Sequence, residues 1–187
     1  MKRIIRRRRS GFTLIEALVA ISIVSILASI AIPSFTKMLE SNRISSASNN
    51  FLSALIFARS EAAKRSFSVS ICTSSNGSSC ATDLDDYASG WIVFVDCEND
   101  GDLTTSATTC DFDGDGINDG DLLLRVQEPL TQVSIVATSS ATEDSFTYRF
   151  SGRPLSVGVG FDVGPDAATP KKAIKIARTG RVRLQNH

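Results

Sequence analysis

The chain has 187 residues, of which 42% are hydrophobic, and its formal net charge is zero. That is enough chain for one domain with a proper core once an N-terminal apolar segment is set aside. The only histidine is the terminal His187. No Gly-x-Ser-x-Gly or phosphate-cradling glycine loop occurs, and the many serines have no base to activate them, so the sequence argues against an enzyme and calls for no cofactor.

Charge is unevenly placed along the chain. Six basic residues (Lys2, Arg3 and Arg6 to Arg9) precede an almost unbroken apolar run from Phe12 to Phe35, whose one charge is Glu16. At about 1.5 Å per residue this run makes a helix of roughly 36 Å, enough to cross a hydrocarbon core of about 30 Å. The basic flank predicts a cytoplasmic N-terminus and an exported remainder. A carboxylate in an apolar run costs on the order of 3 kcal/mol at a bilayer centre, so Glu16 calls for a partner or a job.

The run Gly11-Phe12-Thr13-Leu14-Ile15-Glu16 resembles the class III signal of type IV pilins and type II secretion pseudopilins. The resemblance implies cleavage between Gly11 and Phe12 by a prepilin peptidase and N-methylation of Phe12. It also implies that Glu16 meets the N-terminal amine of a neighbouring subunit during filament assembly. Two blander alternatives are an ordinary secretory signal cut after Ser29-Ile30-Ala31, which leaves Glu16 unexplained, and a plain signal anchor. A mature chain beginning at Ile32 would contradict the pilin reading.

Beyond Pro33, which would kink the helix rather than end it, Ile44, Ala47, Phe51, Leu55, Ala58 and Ala62 recur at three- and four-residue steps. This is an amphipathic helix with one apolar stripe, its polar side carrying Asn42, Arg43, Asn49, Asn50, Arg59 and Lys64. The rest reads as strands. Phe67, Val69 and Ile71 alternate with serines. Trp91 to Val95, Leu122 to Val126 and Val133 to Ala137 are short apolar runs. Phe146, Tyr148 and Phe150 alternate with polar residues, Val157 to Val163 is glycine-rich, and a final pair, Ile174/Ile176 and Val182/Leu184, flanks a Thr179-Gly180 turn. The expected fold is α+β: a long N-terminal helix, its first half membrane-spanning, packed on an antiparallel β-sheet. The segments are a leader (1–11), a membrane or filament-core helix (12–35), its amphipathic continuation (36–66) and an exported β-rich domain (67–187).

Four cysteines lie in the exported part, which suggests two disulfides. Of the three possible pairings, the sequence-local one, Cys72–Cys80 and Cys97–Cys110, closes two polar loops that have little else to order them. Zinc is disfavoured because no Cys-x-x-Cys pair exists. Residues 83–128 hold thirteen acids against one base, Arg125. Within them Asp111, Asp113, Asp115 and Asp119, with Gly116, resemble the first half of a calcium loop. Leu122 stands where the bidentate Glu belongs, so this is a weak calcium candidate beside the plainer reading of a solvated acidic loop, and no metal site is assigned.

Residues 171–187 reverse the charge, with six bases and no acidic side chain. Gly90-Trp91-Ile92-Val93-Phe94-Val95-Asp96, Leu123-Leu124-Arg125, Phe150-x-Gly152-Arg153-Pro154 and Gly180-Arg181-Val182-Arg183 resemble the GspH/FimT group of minor pilins and pseudopilins. Some FimT-type members bind DNA during natural transformation through a C-terminal Gly-Arg-x-Arg motif, which Gly180 to Arg183 matches. In a strand, Arg181 and Arg183 share one face while Val182 and Leu184 share the other. With Lys175 exposed across the turn and Arg178 beside it, the segment makes a cationic stripe suited to phosphate oxygens. It has no aromatic for stacking and few groups to read bases, so binding would be salt-sensitive and nearly independent of sequence. The bland alternative is an edge strand decorated with cations against aggregation.

The reading is therefore a FimT-like minor pilin of a type IV pilus, with a GspH-like pseudopilin of a type II secretion system as the alternative. Its partners would be other pilins or pseudopilins, the prepilin peptidase, the bacterial inner membrane and DNA.

Overall fold

The computed structural model describes residues 11–104, 110–111, 115–116, 118–139 and 144–187. The chain divides into two compact units, Met1–Ser41 and Asn42–His187. One helix, α1 (Leu14–Arg65), contributes to both.

In the first unit the large apolar side chains from Phe12 to Met38 are exposed. The helix starts with a reciprocal cap. The Glu16 N–H donates to Thr13 Oγ1 at 3.3 Å, and the Thr13 N–H reaches back to Glu16 Oε2 at 3.5 Å. Thr13 and Glu16 thus hold the N-cap and third positions of a capping box. The hydroxyls of Ser22, Ser25, Ser29 and Thr36 donate to carbonyls one turn back, which satisfies them without water.

In the second unit the predicted stripe of α1 is the buried one: Ile44, Ala47, Phe51, Leu55, Ala58 and Ala62 all face the core. The helix ends where Ser66 turns left-handed, at φ 62°. Eight strands follow: β1 (Ser68–Thr73), β2 (Trp91–Asp96), β3 (Leu122–Gln127), β4 (Ser134–Ala137), β5 (Ser145–Tyr148), β6 (Gly160–Gly164), β7 (Lys172–Ile176) and β8 (Val182–Asn186). They form two antiparallel sheets rather than one, ordered β3-β2-β1-β5 and β4-β6-β7-β8.

Phe51 joins the two sheets. Its ring lies 5.1 Å from Trp91 of the first sheet, 4.8 Å from Phe161 of the second and 5.2 Å from Tyr87 between them, with the pairs tilted or edge-on. Such aromatic pairs add to the area they bury, and these close the middle of the core.

Three sequence expectations differ from the fold. Strand β1 does not alternate inside and outside: Ser68 and Ser70 are as buried as Val69 and Ile71. On the back of the first sheet, Cys80 and Leu103 pack on Cys72, Ile92 and Phe94. The Ser70 hydroxyl donates to Asp96 at 2.6 Å and shares a 2.6 Å bond with Thr147, so its burial is satisfied. The strand predicted from Val157 begins at Gly160, because Gly158 is left-handed at φ 77°. The strand containing Phe146 and Tyr148 ends before Phe150, whose ring is 63% exposed.

The sulfurs are paired Cys72–Cys80 and Cys97–Cys110, each with Cα atoms 5.6 Å apart. The Cys72–Cys80 bridge packs behind the first sheet, whereas Cys97 and Cys110 pack with the main core.

Candidate nucleic-acid interface

Strands β7 and β8 form a hairpin closed by the Ala177–Gly180 turn. The Gly180 N–H donates to the Ala177 carbonyl at 2.8 Å, and the Ala177 N–H to the Arg181 carbonyl at 2.9 Å. Gly180 is left-handed, at φ 80°, a conformation that glycine takes without penalty. Pairing places Ile174 opposite Leu184 and Ile176 opposite Val182. Those four face the core, which turns the alternate positions outward.

Lys175 sits directly across from Arg183 on that outer face, with Arg181 one step nearer the turn. Lys175, Arg178, Arg181 and Arg183 are all exposed. Among the described residues none of their side chains has a carboxylate or hydrogen-bond partner, whereas Lys172 of the same hairpin donates to Ser45 at 2.9 Å. Strand β8 is also an edge of its sheet. The arrangement is a row of free cations on a rigid ladder, which can neutralise successive phosphates.

Arg59 is the functional-site residue whose role the sequence does not show. The helical pattern puts it on the polar side of α1, with no partner named. Its Nε donates to the Gly152 carbonyl at 3.0 Å and its Nη2 to the Thr179 carbonyl at 2.9 Å. One guanidinium therefore pins two turns, Arg149–Gly152 and Ala177–Gly180. Gly180 packs so closely on Gly152 that a Cβ there would overlap the Gly152 carbonyl oxygen. The Tyr148 hydroxyl, on a side chain whose burial holds its pKa above the ordinary value, donates to the Gly180 carbonyl at 3.4 Å. The glycine of the Gly-Arg-x-Arg segment is thus a packing residue, and the two arginines after it are the free ones. A periodicity rule could not find this contact, because it joins residues 93 and 120 positions apart.

The other sequence candidates lie elsewhere. Gly11 and Phe12 are exposed, and Glu16 caps its own helix as described. In the acidic segment Asp113 lies outside the described residues, as do residues 1–10 of the basic flank. The Gly116 N–H donates to Asp111 Oδ2 at 3.0 Å. Among the described residues no group of three or more carboxylates, histidines or cysteines is arranged to hold a metal ion.

The model of the family described as type II transport protein GspH matches residues 47–180 of the chain. The chain belongs to the GspH family. A second family model, the prokaryotic N-terminal methylation motif, matches residues 6–32. The GspH match ends at Gly180, so Arg181 and Arg183 lie just beyond it. Two crystal structures of the Pseudomonas aeruginosa type IV minor pilin FimU share the fold at 18% identity. Their TM-scores are 0.53 and 0.50, covering 79% and 75% of this chain and 92% and 91% of that chain. The minor pseudopilin EpsH of the Vibrio cholerae type 2 secretion system aligns at 10% identity and TM-score 0.44, over 77% of this chain and 97% of that chain. No curated protein matches the sequence.

This GspH-family chain is therefore a minor pilin or pseudopilin of a type IV pilus or a type II secretion system. Its family is one of structural filament subunits, which assemble with other pilins or pseudopilins. Helix α1 is long and apolar enough to cross a membrane, and with the family it points to membrane anchoring.

Proposed function

We propose that this chain is a FimT-like minor pilin of a type IV pilus that binds DNA without sequence preference for uptake in natural transformation. In this reading a prepilin peptidase cuts between Gly11 and Phe12 and Phe12 is N-methylated. The N-terminus is cytoplasmic, the apolar helix sits in the inner membrane, and the β-rich unit is periplasmic until the subunit enters the filament. Glu16 leaves its cap on Thr13 to meet the amine of a neighbouring subunit.

One observation carries the DNA reading. Lys175, Arg178, Arg181 and Arg183 crowd one hairpin of a chain whose folded part is otherwise acidic, and among the described residues none has a carboxylate partner. Edge protection explains one or two such cations, but here the turn carries them as well.

The test is duplex DNA binding by the full chain in neutral detergent at low salt, beside an Arg181→Ala/Arg183→Ala variant. Loss of about two phosphate contacts should weaken binding at least tenfold while leaving the fold intact. Equal binding by the variant would refute the site. The second reading is a GspH-like pseudopilin of a type II secretion system. It is favoured by the description of the matching family and by the end of that match at Gly180. A well-folded chain that binds no DNA would move the assignment there.

A further inference from the structure

The Arg149–Gly152 turn, pinned beside the basic hairpin by Arg59, has what the hairpin lacks: an aromatic. Its Gly152 N–H donates to the Arg149 carbonyl at 2.8 Å, and the Arg149 N–H to the Arg153 carbonyl at 2.9 Å. This tight loop turns Phe150 outward, 63% exposed, between Arg149 and Arg153. Both arginine side chains are exposed and, among the described residues, without partners. Phe150 does not stand on a flat surface. With Arg149, Leu155, Ser68 and Asn99 it lines a groove of about 340 Å³.

We propose that this groove receives an unpaired nucleobase stacked on Phe150, so that the chain binds single-stranded DNA more tightly than duplex. The inference rests on the DNA reading above and names the form of DNA that its surface prefers. An aromatic face flanked by guanidiniums is the arrangement that holds single strands, because every base has a stacking face and phosphates follow the cations. A duplex keeps its bases stacked on one another and offers Phe150 none.

Charge sets the orientation. Arg149 lines one side of the groove, and Arg153 is exposed on the same turn. The other side is the Asn99 loop, where Glu98 and Asp100 are exposed and repel phosphate. The backbone therefore runs on the arginine side, continuous with Arg181 through the Gly152–Gly180 contact, and the base points toward Asn99. Amino groups on the base edge suit that acidic side.

The experiment uses the full chain in neutral detergent and a mixed-sequence probe of about 20 nucleotides, offered as a single strand and as its duplex. Wild type should bind the single strand more tightly. Phe150→Ala should weaken single-strand binding by about 5- to 140-fold, the cost of losing one stacked base, and change duplex binding by less than about twofold. Phe150→Trp should keep the preference and Phe150→Leu should lose it, which separates stacking from mere apolar contact.

A Phe150→Ala variant that weakens both forms equally, or neither, overturns the proposal. So does a variant that keeps both affinities but loses self-association, which would make the patch a subunit contact. If wild type binds duplex with no single-strand preference, the proposal alone fails. If it binds neither form, the DNA reading fails with it.

Discussion

Replacing Gly180 by alanine should unfold the junction between the two turns, and the cost can be worked from its parts. Gly180 sits at φ 80°, where an L-residue pays about 1–2 kcal/mol. The new methyl would overlap the Gly152 carbonyl oxygen and stand 2.9 Å from Arg59 Nε. The turns must part, and the Arg59 bonds to Gly152 and Thr179 break or stretch. Hydrogen bonds from a charged donor contribute about 1.5–3 kcal/mol each. Losing one of the two and straining the other gives a total of roughly 3–5 kcal/mol. Gly152→Ala is the control. Gly152 is also left-handed, at φ 69°, but its Cβ would meet Arg59 Nε at an ordinary 3.4 Å, so it should cost only about 1–2 kcal/mol. Denaturant unfolding of the full chain in detergent reads both, because the single tryptophan, Trp91, is fully buried in the core. Equal costs for the two variants, or a Gly180→Ala cost below about 1 kcal/mol, would refute the idea that this contact holds the hairpin in place.

Asp96 should mark the first sheet with a pH dependence. Burial pushes its carboxyl above the ordinary value, and bonds from Ser70 and from the Gly101 and Asn99 N–H groups pull it partly back. The folded chain therefore keeps this proton at a pH where the unfolded chain has released it. Its contribution to stability is present below the ordinary carboxylate value and is lost as pH rises through the raised one. Asp96→Asn removes that dependence, so the wild type's advantage over the variant should shrink with rising pH in that window, and an advantage that grows would contradict the assignment. Asp96→Ala should cost on the order of 3 kcal/mol below that window and less above it, because the Ser70 hydroxyl and the Asn99 and Gly101 N–H groups lose their acceptor. Removing the disulfides by Cys72→Ala/Cys80→Ala or Cys97→Ala/Cys110→Ala frees loops with sequence separations of 8 and 13. Loop closure assigns them about 2.6 and 3.0 kcal/mol, measurable by the same denaturation, and losses below about 1 kcal/mol would mean the loops are ordered without them.

Much of this arrangement is written in local pattern. The stripe from Ile44 to Ala62 is a period of 3.6 and needs only a core to face, and the runs at Trp91, Leu122 and Lys172 are strands by composition and spacing. Alternation in β7 and β8 correctly turned Arg181, Arg183 and Lys175 outward, because a hairpin with a short glycine turn leaves little freedom of register. What was not legible depends on contacts between distant segments. Ser68 and Ser70 look like the wet face of a strand, yet Cys80 and Leu103 pack on that sheet and Ser70 bonds to Asp96 and Thr147. Phe150 continues the alternation of Phe146 and Tyr148, yet Gly152 draws the chain into a turn two residues past Tyr148 and leaves the ring in solvent. Arg59 reads as a surface cation, and only the meeting of Gly152 with Gly180 gives it carbonyls to hold. The Phe150-x-Gly152-Arg153-Pro154 and Gly180-Arg181 segments both stand out in the sequence, but nothing in either says that they touch.

The salt dependence of duplex binding tests the basic hairpin most directly. If Lys175, Arg181 and Arg183 meet about three phosphates, the logarithm of the association constant should fall with the logarithm of salt at a slope near −2.7. The Arg181→Ala/Arg183→Ala variant should then fall to a slope of about −0.9. Parallel slopes for the two proteins, at equal affinity, would show that the hairpin does not touch DNA and that its cations only guard the edge of a sheet.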